Sequence, residues 1–219
     1  MHPDPVIAVR ELTVARGHRR VLAGTGFTLG ADERLLIDGT SGAGKSTLLH
    51  ALLGFVPRSA GQIELLGRAR VSEADFAAAR GPVGLLFQDP DDQLLGPSVL
   101  EDVEFGPLNL GVDPAAARRR ARELLQRLDI ETLGERPVHE LSGGEKRLAA
   151  LAGVLAMAPR VLLLDEPTAG LDPDSAQQLL AALLATGVPM VIASHDPVCR
   201  QRLATRTLAL RGGRLHAEP

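Results

Sequence analysis

The chain has 219 residues, a formal net charge of −3 and one cysteine, Cys199. This length suits one compact domain with an inserted subdomain, and the slightly acidic balance offers no broad surface for a polyanion, so we expect no nucleic-acid partner. A single cysteine excludes an internal disulfide and a CxxC redox pair, which favours a reducing compartment.

Strands and helices alternate along most of the predicted structure. Short apolar runs predict strands at residues 7–14, 27–29, 34–38, 63–66, 83–87, 161–165, 190–194 and 207–210, and the last four are of the fully buried type. Helical segments lie between them. We therefore predict an α/β fold with a largely parallel sheet and an amino-terminal antiparallel β region.

Three predicted helices begin at an Asp-Pro pair, at residues 113–114, 172–173 and 196–197. The aspartate suits the N-cap and the proline suits the first helical position. Between about residues 89 and 158 strands give way to helices, at 114–128 and 143–157. We predict one domain over residues 1–219, with a core of about 1–88 and 159–219 and a helical subdomain of about 89–158.

A glycine-rich loop lies between the strand at 34–38 and a helix predicted at 47–53. It matches GxxxxGK[ST] and contains Gly39, Thr40, Ser41, Gly42, Ala43, Gly44, Lys45, Ser46 and Thr47. In this context backbone N–H groups and the helix dipole would hold phosphates. Lys45 would bind the β and γ phosphates of ATP, and Ser46 would bind Mg²⁺. The alternative, a chance glycine-rich turn, is disfavoured by the position between strand and helix.

Two adjacent carboxylates end the apolar strand at 161–165. Because side chains alternate along a strand, we expect Asp165 and Glu166 to point to opposite faces. Asp165 would hold Mg²⁺, directly or through water, and Glu166 would be the general base for the attacking water. The alternative is that the pair only caps the next turn.

A second candidate anion site is Leu141-Ser142-Gly143-Gly144-Glu145 at a predicted helix start. This segment resembles the LSGGQ signature of the ATP-binding-cassette (ABC) family. The resemblance implies a P-loop NTPase core (RecA-like) with an inserted helical subdomain. It also implies a head-to-tail dimer, in which Ser142, Gly143 and Gly144 close over the γ phosphate held by the other subunit. An ordinary serine-capped helix is the alternative.

Other motifs follow in the family's order, from about residue 6 to residue 215. His195 matches the switch histidine, which contacts the γ phosphate. Asp172 belongs to a loop that crosses the dimer interface in the family. Gln88 matches the glutamine that links Mg²⁺ to the transmembrane partner. A lone histidine is more often structural, but the spacing after Glu166 fits the family.

The segments at 83–94 and 101–111 resemble the ATPases of energy-coupling-factor importers, notably the cobalt and nickel group. In that group a transmembrane coupling protein inserts arginine-bearing helices into a groove beside this segment. Six acids and no base would suit such a partner, namely Asp89, Asp91, Asp92, Glu101, Asp102 and Glu104. A solvated acidic loop is the alternative.

Three features depart from the family. Arg16 stands where an aromatic residue usually stacks on adenine, which puts base preference in doubt, although a guanidinium can stack. Glu145 replaces the usual glutamine and puts a negative charge near the signature. A carboxy-terminal dimerisation extension common in the importer group is not apparent, so a stable dimer without the membrane partner is doubtful.

The predicted function is ATP hydrolysis that powers an importer of cobalt or nickel, with biotin or another vitamin as the second choice. Predicted partners are a second ATPase subunit (an identical copy or a paralogue), a coupling protein and a substrate-binding membrane subunit. We expect a peripheral position on the cytoplasmic face of the bacterial cell membrane, since the sequence shows no secretory signal and its longest uncharged apolar run, at 148–158, is too short to span a bilayer. The alternatives are another importer, an exporter, or a soluble ATPase acting on nucleic acid or ribosomes.

Overall fold

The computed structural model describes residues 4–217, so the predicted domain limits at residues 1 and 219 lie outside the described part of the chain. The strands are β1 (Ile7–Arg16), β2 (Arg19–Leu29), β3 (Arg34–Asp38), β4 (Ala60–Leu65), β5 (Arg68–Ala69), β6 (Val83–Leu86), β7 (Val161–Asp165), β8 (Met190–Ala193), β9 (Arg206–Arg211) and β10 (Arg214–Ala217). The helices are α1 (Lys45–Leu52), α2 (Glu73–Ala77), α3 (Val99–Asn109), α4 (Pro114–Arg127), α5 (Gly143–Ala156), α6 (Pro173–Ala185) and α7 (Pro197–Leu203).

The larger sheet has the strand order β10-β9-β3-β8-β7-β6. All its neighbouring pairs are parallel except β9 with β10. Its central strands are apolar and buried on both faces, as a covered parallel sheet requires. Because parallel strands end at the same edge, Asp38, Leu86, Asp165 and Ala193 bring the segments that follow them together.

The smaller sheet is antiparallel, in the order β2-β1-β4-β5, which confirms the predicted amino-terminal β region. Its register pairs Ile7 with Leu29 on one side and with Leu65 on the other. These side chains share one core with Leu48 of α1 and Val191 of β8. The helix that follows the glycine-rich loop is thus fixed between the two sheets.

Helix α5 is the centre of the helical segment and packs against α3, α4 and β6. Its Leu148, Ala152 and Val154 are buried in a core that continues onto the other face of the larger sheet. Gly84 of β6 permits this close approach, since a Cβ there would lie 2.5 Å from Cγ1 of Val154. The packing ties the helical segment to the strand that precedes Gln88.

The structure confirms the α/β prediction and corrects several of its elements. The run at 27–29 is only the end of β2, whose earlier residues are arginine and glycine-rich and gave no apolar signal. Helix α3 was not predicted, although Ser98 caps it and accepts a hydrogen bond from the Glu101 amide. β5, β10 and α2 were also missed because they are short and mostly exposed. Other ends differ by a few residues.

No helix between residues 4 and 217 is long and apolar enough to cross a membrane. The longest helices, α4 and α5, have 14 residues each. A bilayer span needs roughly 20 residues.

Candidate functional site

The glycine-rich loop connects β3 to α1 at the carboxyl edge of the larger sheet. Gly42 and Gly44 adopt positive φ angles of 77° and 108°, a conformation that favours glycine. A Cβ on Gly44 would also lie 2.8 Å from Cγ1 of Val21. Helix α1 begins here without a side-chain cap. Its first amides therefore remain available to an anion, which fits the predicted phosphate site.

A cavity of about 350 Å³, the phosphate-loop cavity, opens above this loop. It is lined by residues 40–47 together with Arg16, Arg19, Val21, Gln88, Glu166, Ala169 and His195. The fold thus brings together residues that are up to about 180 positions apart in the chain. Arg16 lies at the cavity as predicted, and its cross-strand partner Arg19, which the sequence analysis did not name, lies beside it.

Lys45 is the buried cation of this cavity, with 6% of its side chain exposed. Its Nζ donates to the carbonyl oxygen of Gly39 at 2.6 Å and lies 3.1 Å from Oε1 of Glu166. A buried ammonium requires such partners because desolvation penalises an unpaired charge. The ammonium sits where phosphate oxygens above the loop would meet it.

Glu166 is held by three contacts at the base of the cavity. Its Oε1 lies 2.9 Å from Nδ1 of His195, as well as beside Lys45. Its backbone amide donates to the carbonyl of Ala193 on the neighbouring strand. Burial alone raises the pKa of Glu166, but the hydrogen bonds from His195 and Lys45 outweigh burial and lower that pKa below its ordinary value. The carboxylate is therefore ionised at neutral pH.

A backbone turn, and not the predicted strand alternation, separates the side chains of Asp165 and Glu166. β7 ends at Asp165, and Glu166 has a positive φ of 42°, so the two side chains do not diverge through strand alternation. A left-handed turn at a non-glycine residue separates them instead. Such backbone strain is common at functional sites.

Asp165 faces Ser46 rather than Lys45. Its Oδ1 accepts a hydrogen bond of 3.0 Å from the Ser46 hydroxyl, and the residue is 1% exposed. Burial raises the pKa of Asp165, and the Ser46 hydroxyl offsets part of that effect. Ser46, Asp165 and Gln88 line a second space of about 550 Å³, the Asp165 cavity. These oxygen donors are of the kind that Mg²⁺ prefers, so the residues present fit the ion.

The signature segment lies at the start of α5. Ser142 accepts from the Glu145 amide, and the Glu145 carboxylate accepts from the Ser142 amide at 2.7 Å. Glu145 also pairs with Arg136 at 2.9 Å. The negative charge that replaces the usual glutamine is thus engaged within the chain. Ser142, Gly144 and Asp172 do not line the phosphate-loop cavity, whereas Gly143 lines the Asp165 cavity.

Asp172 caps α6 and accepts from the amides of Asp174 and Ser175. The Ser175 hydroxyl donates to the same carboxylate at 2.5 Å. Gly144 packs against this cap, since a Cβ on Gly144 would lie 2.9 Å from Cβ of Ser175. The signature and the predicted interface loop therefore form one continuous edge.

Comparison with known proteins agrees with this geometry. The family model described as "ABC transporter" matches residues 22–169, and this range contains the glycine-rich loop, the signature and both carboxylates. The chain belongs to the ABC transporter family.

Its relatives place this ABC protein among ATP-binding subunits. It is 48% identical to an uncharacterized ABC transporter ATP-binding protein of Haemophilus influenzae, over 94% of each chain. It is 46% identical to the cobalt import ATP-binding protein CbiO of Rhodobacter capsulatus, over 98% of this chain and 78% of the other. The solved structure of CbiO1 from Clostridium perfringens, part of the ABC transporter complex cbiONQ, is 34% identical. It superposes with a TM-score of 0.86 over 98% of this chain and 88% of that chain. The chain is an ABC ATPase.

Arg147 of this ABC ATPase is a buried residue that the sequence did not single out. Its guanidinium donates to the carbonyls of Phe87 and Gln88 at 2.5 and 2.6 Å and lies 3.4 Å from that of Glu166. Burial lowers the pKa of Arg147, and Asp89 and Asp165 oppose that effect. The sequence did contain one signal for this role. An arginine on the buried face of a predicted helix indicates a structural contact, because a buried charge needs partners.

The acidic segment is less uniform than its sequence indicated. Asp102 is half-buried and accepts from the amides of Leu95 and Gly96, both at 2.7 Å. Burial raises the pKa of Asp102, and these hydrogen bonds offset part of that effect. Asp91 pairs with Lys146 at 2.6 Å, and Glu104 lies 3.5 Å from Arg118. Asp89 accepts from the Asp91 amide and Glu101 from the Ser98 hydroxyl. Five of the six acids therefore take part in hydrogen bonds or ion pairs within the fold, so the segment is not a uniform run of solvated charges.

An apolar groove of about 320 Å³ lies beside this segment, where the resemblance implied a groove, although the sequence did not give its walls. Its large exposed side chains come from separate parts of the chain, namely Phe55, Leu95, Phe105 and Leu110. Leu95 is 74% exposed and Phe105 is 54% exposed. Exposed apolar side chains that share a groove favour a protein-binding surface.

Proposed function

We propose that this ABC ATPase powers an energy-coupling-factor-type importer for cobalt or nickel ions, at the cytoplasmic face of the cell membrane. The observation that carries the proposal is the apolar groove beside Phe87 and Gln88. A binding surface that adjoins the residues around the phosphate-loop cavity is what a subunit needs to pass the effect of hydrolysis to a partner. The similarity to a cobalt import ATP-binding protein supports the choice of cargo.

In the proposed reaction the loop at residues 39–47 holds the phosphates of ATP through backbone amides. Lys45 donates to the β and γ phosphates, and Arg16 stacks on the base through its guanidinium. The ionised Glu166 accepts a proton from the attacking water as general base, and its hydrogen bond to His195 orients it. His195 also contacts the γ phosphate.

Ser46, Asp165 and Gln88 would hold Mg²⁺ in the Asp165 cavity. In that position Mg²⁺ would supply positive charge against the negative charge that develops on the phosphates. The hydrogen bond between the Ser46 hydroxyl and the Asp165 carboxylate already places these two oxygen ligands side by side.

A second ATPase subunit, identical or paralogous, completes the site. The signature residues Ser142, Gly143 and Gly144 and the loop residue Asp172 act on the nucleotide of that subunit. Their distance from the phosphate-loop cavity of their own chain supports this arrangement, because Ser142, Gly144 and Asp172 do not line it. Two chains in head-to-tail contact then hold two ATP molecules between them.

The groove receives a short helix of the transmembrane coupling protein, which in turn contacts the substrate-binding membrane subunit. The apolar floor supplies most of the contact. The exposed acids Asp89, Asp92 and Glu101 attract basic residues of the partner.

Co-purification tests this proposal. We would express the tagged chain with the membrane proteins encoded by neighbouring genes and isolate it from detergent-solubilised membranes. Leu95→Asp, in the groove, should abolish recovery of the membrane proteins. Val71→Asp should not, since Val71 is equally exposed at 74% but lies outside the groove. Equal recovery with both variants, or recovery of the wild type only with ribosomes or nucleic acid, would overturn the proposal.

The cargo is tested by uptake. Cells that express the complete set of subunits should accumulate radioactive cobalt or nickel, and the Glu166→Gln variant should not. Accumulation of biotin without either metal would show that the cargo is a vitamin and not a metal ion, and it would leave the proposed role of this chain as the ATPase subunit intact.

A further inference from the structure

Three aromatic rings form a cluster at the end of α1. The rings belong to His50, Phe55 and Phe87. The His50 ring lies 5.7 Å from the Phe87 ring and 6.2 Å from the Phe55 ring, which it meets edge-on, and the two phenylalanine rings are 6.3 Å apart. These are the separations of interacting aromatic side chains. The three side chains therefore pack as one unit, called here the ring cluster.

The ring cluster separates two spaces that have different chemistry. His50 and Phe87 line the Asp165 cavity, together with Ser46 and Gln88. Phe55 and Phe87 line the apolar groove on the other side. His50 lies four residues after Ser46, on the same face of α1. A group that binds in either space is therefore next to side chains of the ring cluster.

His50 is the polar member of the ring cluster. Its Nε2 is buried and has no hydrogen-bond partner within residues 4–217. An unpartnered buried nitrogen costs stability, so packing alone does not explain a histidine where an apolar side chain would fit. Burial raises the pKa of Asp165, as described above, while the Ser46 hydroxyl and the proximity of His50 lower it. His50 is thus electrostatically close to the Asp165 cavity while its ring belongs to the groove wall.

We propose that His50 is a positioning residue that links the Asp165 cavity to the groove: its nitrogen senses the groups in the cavity and its ring sets the positions of Phe87 and Phe55. Phe87 directly precedes Gln88, which lines both the Asp165 cavity and the phosphate-loop cavity. A shift of the ring cluster therefore also shifts Gln88. This inference rests on the proposed function, because it takes the Asp165 cavity as the site of the Mg²⁺ that accompanies ATP and the groove as the partner's site.

The chain has no tryptophan and no tyrosine, so an introduced indole reports on the groove without background. The experiment uses the full chain with Glu166→Gln, to prevent turnover, and Phe55→Trp as the reporter. Addition of ATP and MgCl₂ should shift the indole emission. Adding His50→Phe, which keeps an aromatic ring but removes the nitrogen, should abolish at least four-fifths of that shift. The affinity for a fluorescent ATP analogue should change less than about threefold.

A second reporter serves as the control. Phe27→Trp places the indole on β2 of the smaller sheet, outside the groove and the ring cluster, and its emission should not respond to His50→Phe. A full shift that survives His50→Phe, or ATP binding with no shift at position 55, would overturn the inference and leave the proposed function standing. Failure of every variant to bind ATP would instead overturn the proposed function and this inference with it.

Discussion

The phosphate-loop side and the signature edge both present candidate nucleotide contacts, but they are built in opposite ways. On the first, Lys45, Asp165 and Glu166 are each less than 10% exposed; Lys45 pairs with Glu166, and Asp165 accepts a hydrogen bond from Ser46. On the second, Ser142 and Asp172 are exposed, and their polar groups are used in helix caps. Removal of a charge should therefore damage the first region most, and a change of shape should damage the second.

The largest expected effect comes from Glu166→Gln. Turnover should fall by roughly 10²- to 10⁴-fold, because the amide cannot accept the proton of water, while ATP binding is retained. Steady-state phosphate release and a separate binding titration measure the two quantities. Glu33→Gln is the control, since Glu33 pairs with Arg206 away from the cavity, and it should keep normal turnover. Normal turnover of Glu166→Gln would remove Glu166 as the base.

Lys45→Ala should act on binding. Loss of a buried charge-assisted donor is expected to weaken ATP affinity by roughly 10- to 100-fold. Lys146→Ala is the matched variant, because Lys146 is also a lysine but pairs with the exposed Asp91 outside the cavity. Its ATP affinity should stay within about twofold. Equal losses in a calorimetric titration would show that the buried position of Lys45 has no special effect.

Gly144→Ala tests the role of shape at the signature edge. The new methyl would crowd Ser175, so the free energy of unfolding should fall by about 1 to 3 kcal/mol. A Cβ on Gly143 meets nothing within 4 Å, so Gly143→Ala should leave stability unchanged or slightly raised. Thermal denaturation of both proteins measures the difference. A Gly144→Ala protein as stable as Gly143→Ala would show that the edge adapts freely.

The smallest effect concerns charge at the same edge. Hydrogen bonds from the Ser142 amide and hydroxyl, with Arg136, lower the pKa of Glu145. Its stabilisation is therefore present above the unfolded-state pKa of about 4.3 and is lost as pH falls through the lower folded-state pKa. Because 31% of the Glu145 side chain is exposed and solvent screens the charge, the free energy of unfolding of the wild type should exceed that of Glu145→Gln by less than about 1 kcal/mol at pH 7. That gap should narrow in urea titrations as the pH falls below the unfolded-state pKa, and a gap that widens would contradict this.

Local sequence patterns predicted the fold class and most strands, and the comparisons confirm the family. The same patterns identified Lys45, Ser46, Asp165, Glu166 and His195, which the structure gathers around two adjoining cavities. Their catalytic roles stay predictions. The resemblance implied a groove beside the acidic segment, but local patterns could not give its walls, because they come from α3, α5, β6 and the residues after α1 and meet only through long-range packing.

The error at Glu166 has a different origin. Strand alternation was applied one residue too far, because nothing in the apolar run at 161–165 marks the left-handed turn that follows. Arg147 was missed for the opposite reason. Its role depends on carbonyls that lie 59 and 60 residues earlier and 19 residues later in the chain, and no local pattern reports such partners.

Arg147 also determines how the two parts of the chain can move. The residue belongs to α5, while the carbonyls it holds follow β6 and β7 of the sheet. One planar guanidinium therefore links the helical segment to the core by hydrogen bonds. A rigid-body rotation of α5 must either move the ends of β6 and β7 with it or break these hydrogen bonds. A lysine would not replace it, because a compact ammonium lacks the fork that spans separate acceptors. Faster amide hydrogen exchange in the residues after β6 of Arg147→Lys would show that the loss of these hydrogen bonds loosens the link between α5 and the sheet.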